Sequence, residues 1–464
     1  MRVLLLNARY DGGGAERCGR ELFQHLPQVG IETDLWVCQP SRATPPSVRS
    51  LPMFWEDTCT RSLSLIRRLA RQATPRFRPR KALAATESRD RRGGQGFSTT
   101  LAKWKNQRHI GFRRRLAEIK PGDFDLVHLH ATYTDCAALN SLKQLTHKLP
   151  VVWTLHDTWA VTGGVLHDLS DSMSAMDVRT MLMQSGRPDV ARLYHRAFLP
   201  KSERDFIRDS MPKPVVAIAP SHDMQQKARR SDLLERVEIQ HIPNPTVLLD
   251  HPSAQLSRLQ ARRELGLAAE RPVVLMTASD LSCPHKGLWL GLQALNALRD
   301  PLPQLVLMGA SNTGGFRGPG YRGPIKTMMA RDSQELGRVY RAADVTLIPS
   351  LTENLPYTAL ESLACQTPIV AFQVGGLTEI VASGRGGLLV PPFEIPIMSA
   401  CLSRLLVDHT WNQRLGEFGQ RWVHQHCGLP DYLNRMKGVY QTAVQCHERA
   451  IREPQFVSTF PRAA

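Results

Sequence analysis

The sequence predicts an α/β chain with two doubly wound, mostly parallel sheets, and three features carry that expectation. Apolar runs of three to five residues recur without polar alternation: Val3–Leu6, Leu126–Leu129, Val151–Leu155 and Val215–Ala219, then Val273–Met276, Leu305–Met308, Val345–Ile348, Ile369–Phe372 and Leu388–Val390. Such runs are how parallel strands covered on both faces read. Each run stops at a small or polar residue and leads through a turn into helix-like periodicity, the alternation of an α/β fold. Finally, 464 residues are more than one domain at about 100–200 residues each.

The seam follows from proline. Two turns, Pro243-Asn244-Pro245 and His251-Pro252-Ser253, come after the strand-like Val237–Ile242 and divide the runs into two sets. The expected organisation is a first Rossmann-like domain over 1–245, a second over 246–405, and terminal helices over 406–464. Helical periodicity from Ile395 to Glu448 is too long for one domain to use, so the chain is expected to cross back onto the first. Two segments fit no sheet: residues 61–118, rich in Arg with Arg91-Arg92-Gly93-Gly94, and residues 163–212, which read as a mobile excursion with helices. The tail after Arg452 has two prolines and no periodicity, and is expected to be poorly ordered.

Composition narrows the function classes. A hydrophobic fraction of 42% suits a globular enzyme with a sizeable core. No stretch approaches the roughly 18 apolar residues of a membrane-spanning helix. Met1–Asn7 lacks the apolar core of a signal peptide and reads as a first buried strand. Nine cysteines without CxxC or Cys/His spacing indicate neither a disulfide framework nor a zinc site, and fit a reducing cytoplasm. The net charge of +17 is concentrated: Arg61 to Lys120 holds 18 Lys/Arg against 3 Asp/Glu.

Four motifs carry chemistry. Tyr10-Asp11-Gly12-Gly13-Gly14-Ala15-Glu16-Arg17 follows the first run and opens a helical stretch. Gly12, Gly13 and Gly14 let backbone amides approach an anionic or sugar group at the helix's positive end. The spacing is not GxGxxG, so a dinucleotide fold is not indicated; a merely tight turn is the plainer alternative. His130 and His156 end neighbouring runs in His128-Leu129-His130 and Thr154-Leu155-His156, where open α/β sheets bind ligands. One histidine there would be read as structural; two at equivalent strand ends point to a site.

In the second half, Cys283-Pro284-His285-Lys286-Gly287 sets Lys286 near the start of a helix over Leu288–Leu298, a charge suited to a diphosphate, although a capping lysine reads the same. The strongest motif runs from Ser350 to Ala371. Asn354 can cap a helix with Pro356 in its first turn, leaving Glu353 at the mouth and Glu361 two turns in. Two carboxylates beside the backbone amides of a helix start can hold a polyol phosphate, sugar at one end and ribose at the other. Surface glutamates on a solvated helix are the plain alternative.

Glu353-x7-Glu361, then Cys365-Gln366-Thr367-Pro368 and Gly375-Gly376-Leu377-Thr378-Glu379, resembles the signature of family-4 retaining glycosyltransferases. Tyr340–Val345, Leu307-Met308-Gly309, His285-Lys286-Gly287, Ala219-Pro220-Ser221, Ile242-Pro243-Asn244, Gly12–Glu16, Asp125–His130 and Thr154–Asp157 fall in the family's order, over about 1–50 and 121–440. Trp153–Ala160 with Glu353-Asn354-Leu355-Pro356 is most similar to members that build exopolysaccharide, colanic-acid-like or O-antigen repeats. The resemblance implies the GT-B fold, two Rossmann-like domains across a cleft. It implies sugar transfer with retention from a nucleotide-sugar co-substrate to a saccharide acceptor, lipid-linked in such pathways, with no metal and no other cofactor. Glu361 would hold the ribose, Glu353 the donor-sugar hydroxyls, and Lys286 the diphosphate, helped by the amides of Asn354 and Leu355. Gly12, Gly13 and Gly14 would border acceptor and donor sugar, with His130 or His156 against the sugar's reactive face.

Two departures stand out. Asp280 lies six residues before Lys286, where many relatives carry an arginine, and no cysteine occurs between Val161 and Met211. No counterpart of the Arg61–Lys120 segment in the family can be assigned from the sequence. A basic surface gains roughly 1 kcal/mol per basic residue near an anionic leaflet, so this segment is expected to dock the enzyme on the inner face of a cytoplasmic membrane; a solvated insertion without a partner is the alternative. A nucleic-acid partner is not expected, because only Phe77, Phe97, Trp104 and Phe112 interleave the basic residues. An epimerase or phosphorylase on the same fold is the rival enzyme class.

Overall fold

The computed structural model describes residues 1–39, 44–50, 116–120, 122–130, 139–184, 188–310, 320–381 and 385–452. The basic segment 61–118 lies outside the described residues except for 116–118, as does the tail beyond Arg452.

Two parallel sheets form, as the apolar runs predict. The first contains β1 (Arg2–Arg9), β2 (Glu32–Gln39), β3 (Arg49–Ser50), β4 (Leu126–Leu129), β5 (Val151–Thr154), β6 (Val216–Ala219) and β7 (Glu238–His241), in the order β3-β2-β1-β4-β5-β6-β7. The second contains β8 (Val273–Asp280), β9 (Gln304–Ala310), β10 (Ile325–Met328), β11 (Val345–Ile348), β12 (Ile369–Phe372) and β13 (Gly387–Val390), in the order β10-β9-β8-β11-β12-β13. Both orders reverse beside the first strand, between β1 and β4 and between β8 and β11. Loops leaving those strand ends diverge to opposite faces and open the crevice where such sheets take ligands.

The strands missing from the sequence reading are those without a wholly apolar run. β2 begins Glu32-Thr33-Asp34, and the edge strand β10 alternates exposed with half-buried residues. By contrast β4, β5, β6, β11 and β12 are buried at every position.

Among the described residues the chain crosses between domains twice, side by side. Thr246 bridges Gly428 in parallel, and Thr246 N donates to Cys427 O at 3.0 Å. The helix His409–His426, grouped in the sequence reading with the returning helices, packs on the second domain through Leu415 and Val423. Of the described terminal helices only Leu429–Arg452 returns, burying Tyr432, Leu433, Met436, Val439, Tyr440 and Ala443 against the first sheet.

The excursion 163–212 corrects the expectation of a mobile loop. It carries helices Ala175–Gln184 and Lys201–Ser210, and Leu169, Val178, Met181, Leu182 and Tyr194 are buried in the same cluster as Val274, Leu288 and Leu347 of the second domain. Its apolar face is therefore paired across the domain boundary, a partner that local periodicity cannot reveal.

Candidate active site

At the second switch point the chain leaves β8 through a turn that Asp280 holds, its Oδ1 accepting from Ser282 N at 2.8 Å and Ser282 Oγ at 2.6 Å. The departure from the arginine pattern thus builds the loop. A short 3-10 turn, Pro284–Lys286, then passes through Gly287 at φ +63° into the helix Leu288–Asn296. Glycine is required there: a Cβ would fall 1.9 Å from the Pro349 carbonyl oxygen. Leu351 N donates to His285 O at 2.8 Å, which seats the loop after β11 on this turn. Lys286 Nζ then reaches Glu353 Oε1 at 2.6 Å. The sequence reading placed these residues in one site, and the structure brings them together as an ion pair.

Asn354 does not cap the following helix. Pro356 is the cap residue of Tyr357–Ala364, and the Asn354 side chain joins the two domains instead. Its Nδ2 donates to Leu155 O at 2.7 Å, and its Oδ1 accepts from Ser221 Oγ at 2.7 Å. Asn244 Nδ2 donates to Leu355 O at 3.0 Å. Three first-domain segments thus fix the loop that carries Glu353.

Glu361 is the fifth residue of its helix and 3% exposed, so it is no solvated surface glutamate. Its Oε2 accepts from Tyr340 Oη at 2.7 Å, and its Oε1 pairs with the guanidinium of Arg17 from the first domain. Arg17 also lies over the Tyr357 ring, 5.0 Å from its centroid. Burial pushes the Tyr340 hydroxyl well above its usual range, so it stays a donor to the carboxylate. Arg17 was not singled out from the sequence, although it ends the glycine motif and opens on the cleft.

Across the cleft, Gly13 precedes the helix Gly14–His25. Cβ atoms on Gly13 and Gly14 would lie 3.6 Å from Ser279 Oγ and 3.0 Å from the Tyr357 ring, so the glycine loop abuts the second domain at the ends of β8 and of the loop after β11. A Cβ on Gly12 would strike the Glu16 side chain at 2.7 Å.

The strand-end histidines divide. His128, buried, bonds Tyr440 Oη through Nδ1 and Thr154 Oγ1 through Nε2, both at 2.8 Å, tying the returning helix to β4 and β5. His130 Nδ1 meets His156 Nε2 at 2.9 Å, and His130 Nε2 is buried without a partner among the described residues. Burial pushes His128 and His156 down to about 3, and burial with its two histidine neighbours pushes His130 well down. All three are neutral at neutral pH. They can hydrogen-bond a hydroxyl but do not act as acids.

A second histidine pair supports Lys286 from outside the predicted set. Tyr194 Oη of the excursion bonds His285 Nδ1 at 3.0 Å, and His167 stacks on His285 with centroids 3.8 Å apart. The residue before Lys286 is thereby held by the other domain.

Residues 271–408 match the family model described as Glycosyl transferases group 1, and residues 74–248 match Glycosyltransferase Family 4. The chain is similar to a D-inositol 3-phosphate glycosyltransferase of Thermobifida fusca, 32% identical over 37% of this chain and 42% of the relative. It is also similar to one of Thermobispora bispora, 25% identical over 86% of this chain and 82% of that one. The first match therefore spans less than half of the relative's length. Among solved structures it is similar to sucrose-phosphate synthase from Thermosynechococcus elongatus, with TM-score 0.64 and 21% identity over 96% of this chain and 100% of that one. It is likewise similar to the Anabaena protein HepE in complex with UDP-glucose, with TM-score 0.56 and 16% identity over 95% and 100%. At those identities the likeness is one of fold.

Proposed function

We propose, for a chain that belongs to the GT-B glycosyltransferase superfamily, that it moves a sugar from a nucleotide-sugar donor to a saccharide acceptor with retention of anomeric configuration. The observation that carries this reading is the placing of Lys286, Glu353 and Glu361 at the switch point of one sheet, opposite Gly12–Gly14, His130 and His156 at the switch point of the other.

Glu361 accepts the ribose hydroxyls in this reading. A ribose that reaches it competes with Arg17 for the carboxylate. Lys286 neutralises the diphosphate, beside the backbone amides of Asn354 and Leu355, while Glu353 holds both the lysine and the donor-sugar hydroxyls. As the glycosidic bond breaks, charge develops on the leaving phosphate oxygen, and preorganised positive groups there lower the barrier most. That same oxygen takes the proton of the acceptor hydroxyl, which attacks from the face the phosphate leaves. Glu353 and Glu361 are then not a glycosidase pair, because in this reading both hold donor hydroxyls, while Lys286 and the backbone amides carry the diphosphate charge without Mg²⁺ or Mn²⁺. His130 Nε2, buried and unpartnered, accepts or donates one hydrogen bond at the transferring sugar.

The acceptor we favour is a lipid-linked saccharide of polysaccharide assembly at the cytoplasmic face of a membrane, because residues 61–120 carry a large basic excess. Among the described residues no helix is long and apolar enough to cross a membrane. A thermal-shift screen of UDP-, GDP- and ADP-sugars tests the donor, since only a bound donor raises Tm by mass action. Proton NMR of the product tests retention, with a lipid-linked disaccharide and D-inositol 3-phosphate as acceptor arms. No stabilisation by any nucleotide sugar, or a product of inverted configuration, overturns the reading.

A further inference from the structure

Three metal-ligating side chains from separate elements meet where the domains join. His222 opens the helix His222–Arg229, His241 ends β7, and Glu379 lies in the short helix Leu377–Ile380 of the second domain. Their donor atoms all lie within 4.8 Å of one another. The two imidazoles lie with centroids 3.7 Å apart and planes tilted by 34°, and His241 Nε2 stands 4.0 Å from Glu379 Oε2, too far for a hydrogen bond. His241 Nε2 is buried and has no partner among the described residues.

The surroundings orient each donor. His241 ends β7 with its buried Nε2 turned toward Glu379. Glu379 is aimed by two backbone amides, His222 N at 2.9 Å and Asp223 N at 3.0 Å, one on each oxygen, and each oxygen keeps a second lone pair. His222 is exposed, so its ring can turn to complete a tetrahedron. The nearby cations have acceptors of their own: Lys227 pairs with Asp223 at 2.7 Å, and Arg435 donates to His241 O at 2.6 Å. Two imidazoles and a carboxylate with outer hydrogen bonds are a donor set suited to Zn²⁺.

We propose that His222, His241 and Glu379 form an interdomain site for a divalent transition-metal ion, Zn²⁺ in the first place. None of the three is among the donor-site residues, so the site stands independently of the proposed reaction. Glu379 follows Gly375 and Gly376, whose backbone lies against the carbonyls of Glu353 and Asn354; Cβ atoms there would fall 1.8 and 1.9 Å from those oxygens. An ion on the three donors ties the end of β7 to the segment that backs the Glu353 loop, and so holds the two domains together at that edge.

The other trio, Cys18, His130 and His156, is the weaker candidate. Burial pushes the Cys18 thiol up to about 11, away from the thiolate a metal needs, and the two histidines spend their facing nitrogens on each other.

The test is calorimetric titration of the full chain, stripped of metal by chelator and dialysed, with ZnCl₂ and separately with MgCl₂. One Zn²⁺ should bind per chain in the micromolar range and raise Tm, with no response to Mg²⁺. Co²⁺ should give the strong visible absorption of a four-coordinate site. His241→Ala and Glu379→Gln should each weaken Zn²⁺ binding by about tenfold or more. His222→Ala, at an exposed position, should do the same without touching the fold, which keeps the test valid if His241→Ala does not fold. Unchanged Zn²⁺ affinity in His222→Ala, or loss of binding in His156→Ala alone, overturns the assignment.

Discussion

Replacing Lys286 by Met separates what the Lys286–Glu353 pair does for the fold from what it does for the reaction. The pair is 2.6 Å long, with 23% of the lysine side chain and 9% of the glutamate side chain exposed. Removing one partner of a fully buried pair costs about 3–5 kcal/mol, because the remaining charge is left uncompensated. Water reaches the ammonium here, so about 2–3 kcal/mol is the expected loss. At roughly 2–4 °C per kcal/mol for a domain of this size, Tm should fall by about 4–12 °C. Adding Glu353→Gln removes the stranded charge, and the double variant should recover most of that Tm. Turnover should not recover. A charge-assisted contact to the donor is worth about 1.5–3 kcal/mol, so both single variants and the double should be slower by about 10-fold to 100-fold or more. The assay is release of nucleoside diphosphate at saturating acceptor, beside thermal unfolding of the same preparations. A double variant with wild-type turnover would show that the pair only holds the loop, and would remove Lys286 and Glu353 from the chemistry.

Further outcomes follow from neighbouring contacts. Glu361→Gln leaves Tyr340 a partner but discharges the site for the ribose, so nucleotide Kd should rise about tenfold with little change in kcat at saturation; a pure kcat effect would refute the ribose assignment. Gly287→Ala forces a Cβ onto the Pro349 carbonyl at positive φ, and circular dichroism should report a loss of stability of about 2 kcal/mol or more; wild-type stability would mean the turn relaxes freely. His128, His156 and His167 have pKa values of about 3 when folded against the ordinary 6.5, lowered chiefly by burial. The unfolded chain binds more protons, so their stabilisation is complete above pH 6.5 and is lost as pH falls toward 3, by about 1.4 kcal/mol per pH unit for each. Proton uptake on unfolding at pH 5 should approach three or more, and uptake below one contradicts their neutrality. Finally, Glu in place of Arg67, Arg68, Arg71, Arg113, Arg114 and Arg115 should release the protein from anionic vesicles while sparing transfer to a soluble acceptor; unchanged co-sedimentation removes the membrane role.

The sequence by itself determined the two sheets and the side of each on which the candidate site residues lie. Runs such as Val345–Ile348 are buried on both faces whatever surrounds them, so their composition declares them, and the polar residues that end them mark the ligand side. Glu353, Glu361 and Lys286 stand out as candidates for that reason, as do Gly12–Gly14, His130 and His156. What only the tertiary structure decided are contacts whose partners are far apart in the chain. Arg17 on Glu361, Asn354 on Leu155 and Ser221, and Tyr194 on His285 join residues 90 or more positions apart. Likewise His222, His241 and Glu379 have no motif spacing, because one ligand comes from the other domain. Local periodicity records which face of an element is apolar, but not which distant element covers it. That choice is made by how the two domains pack, which is why the excursion 163–212 read as mobile and proved to be packed against the second domain.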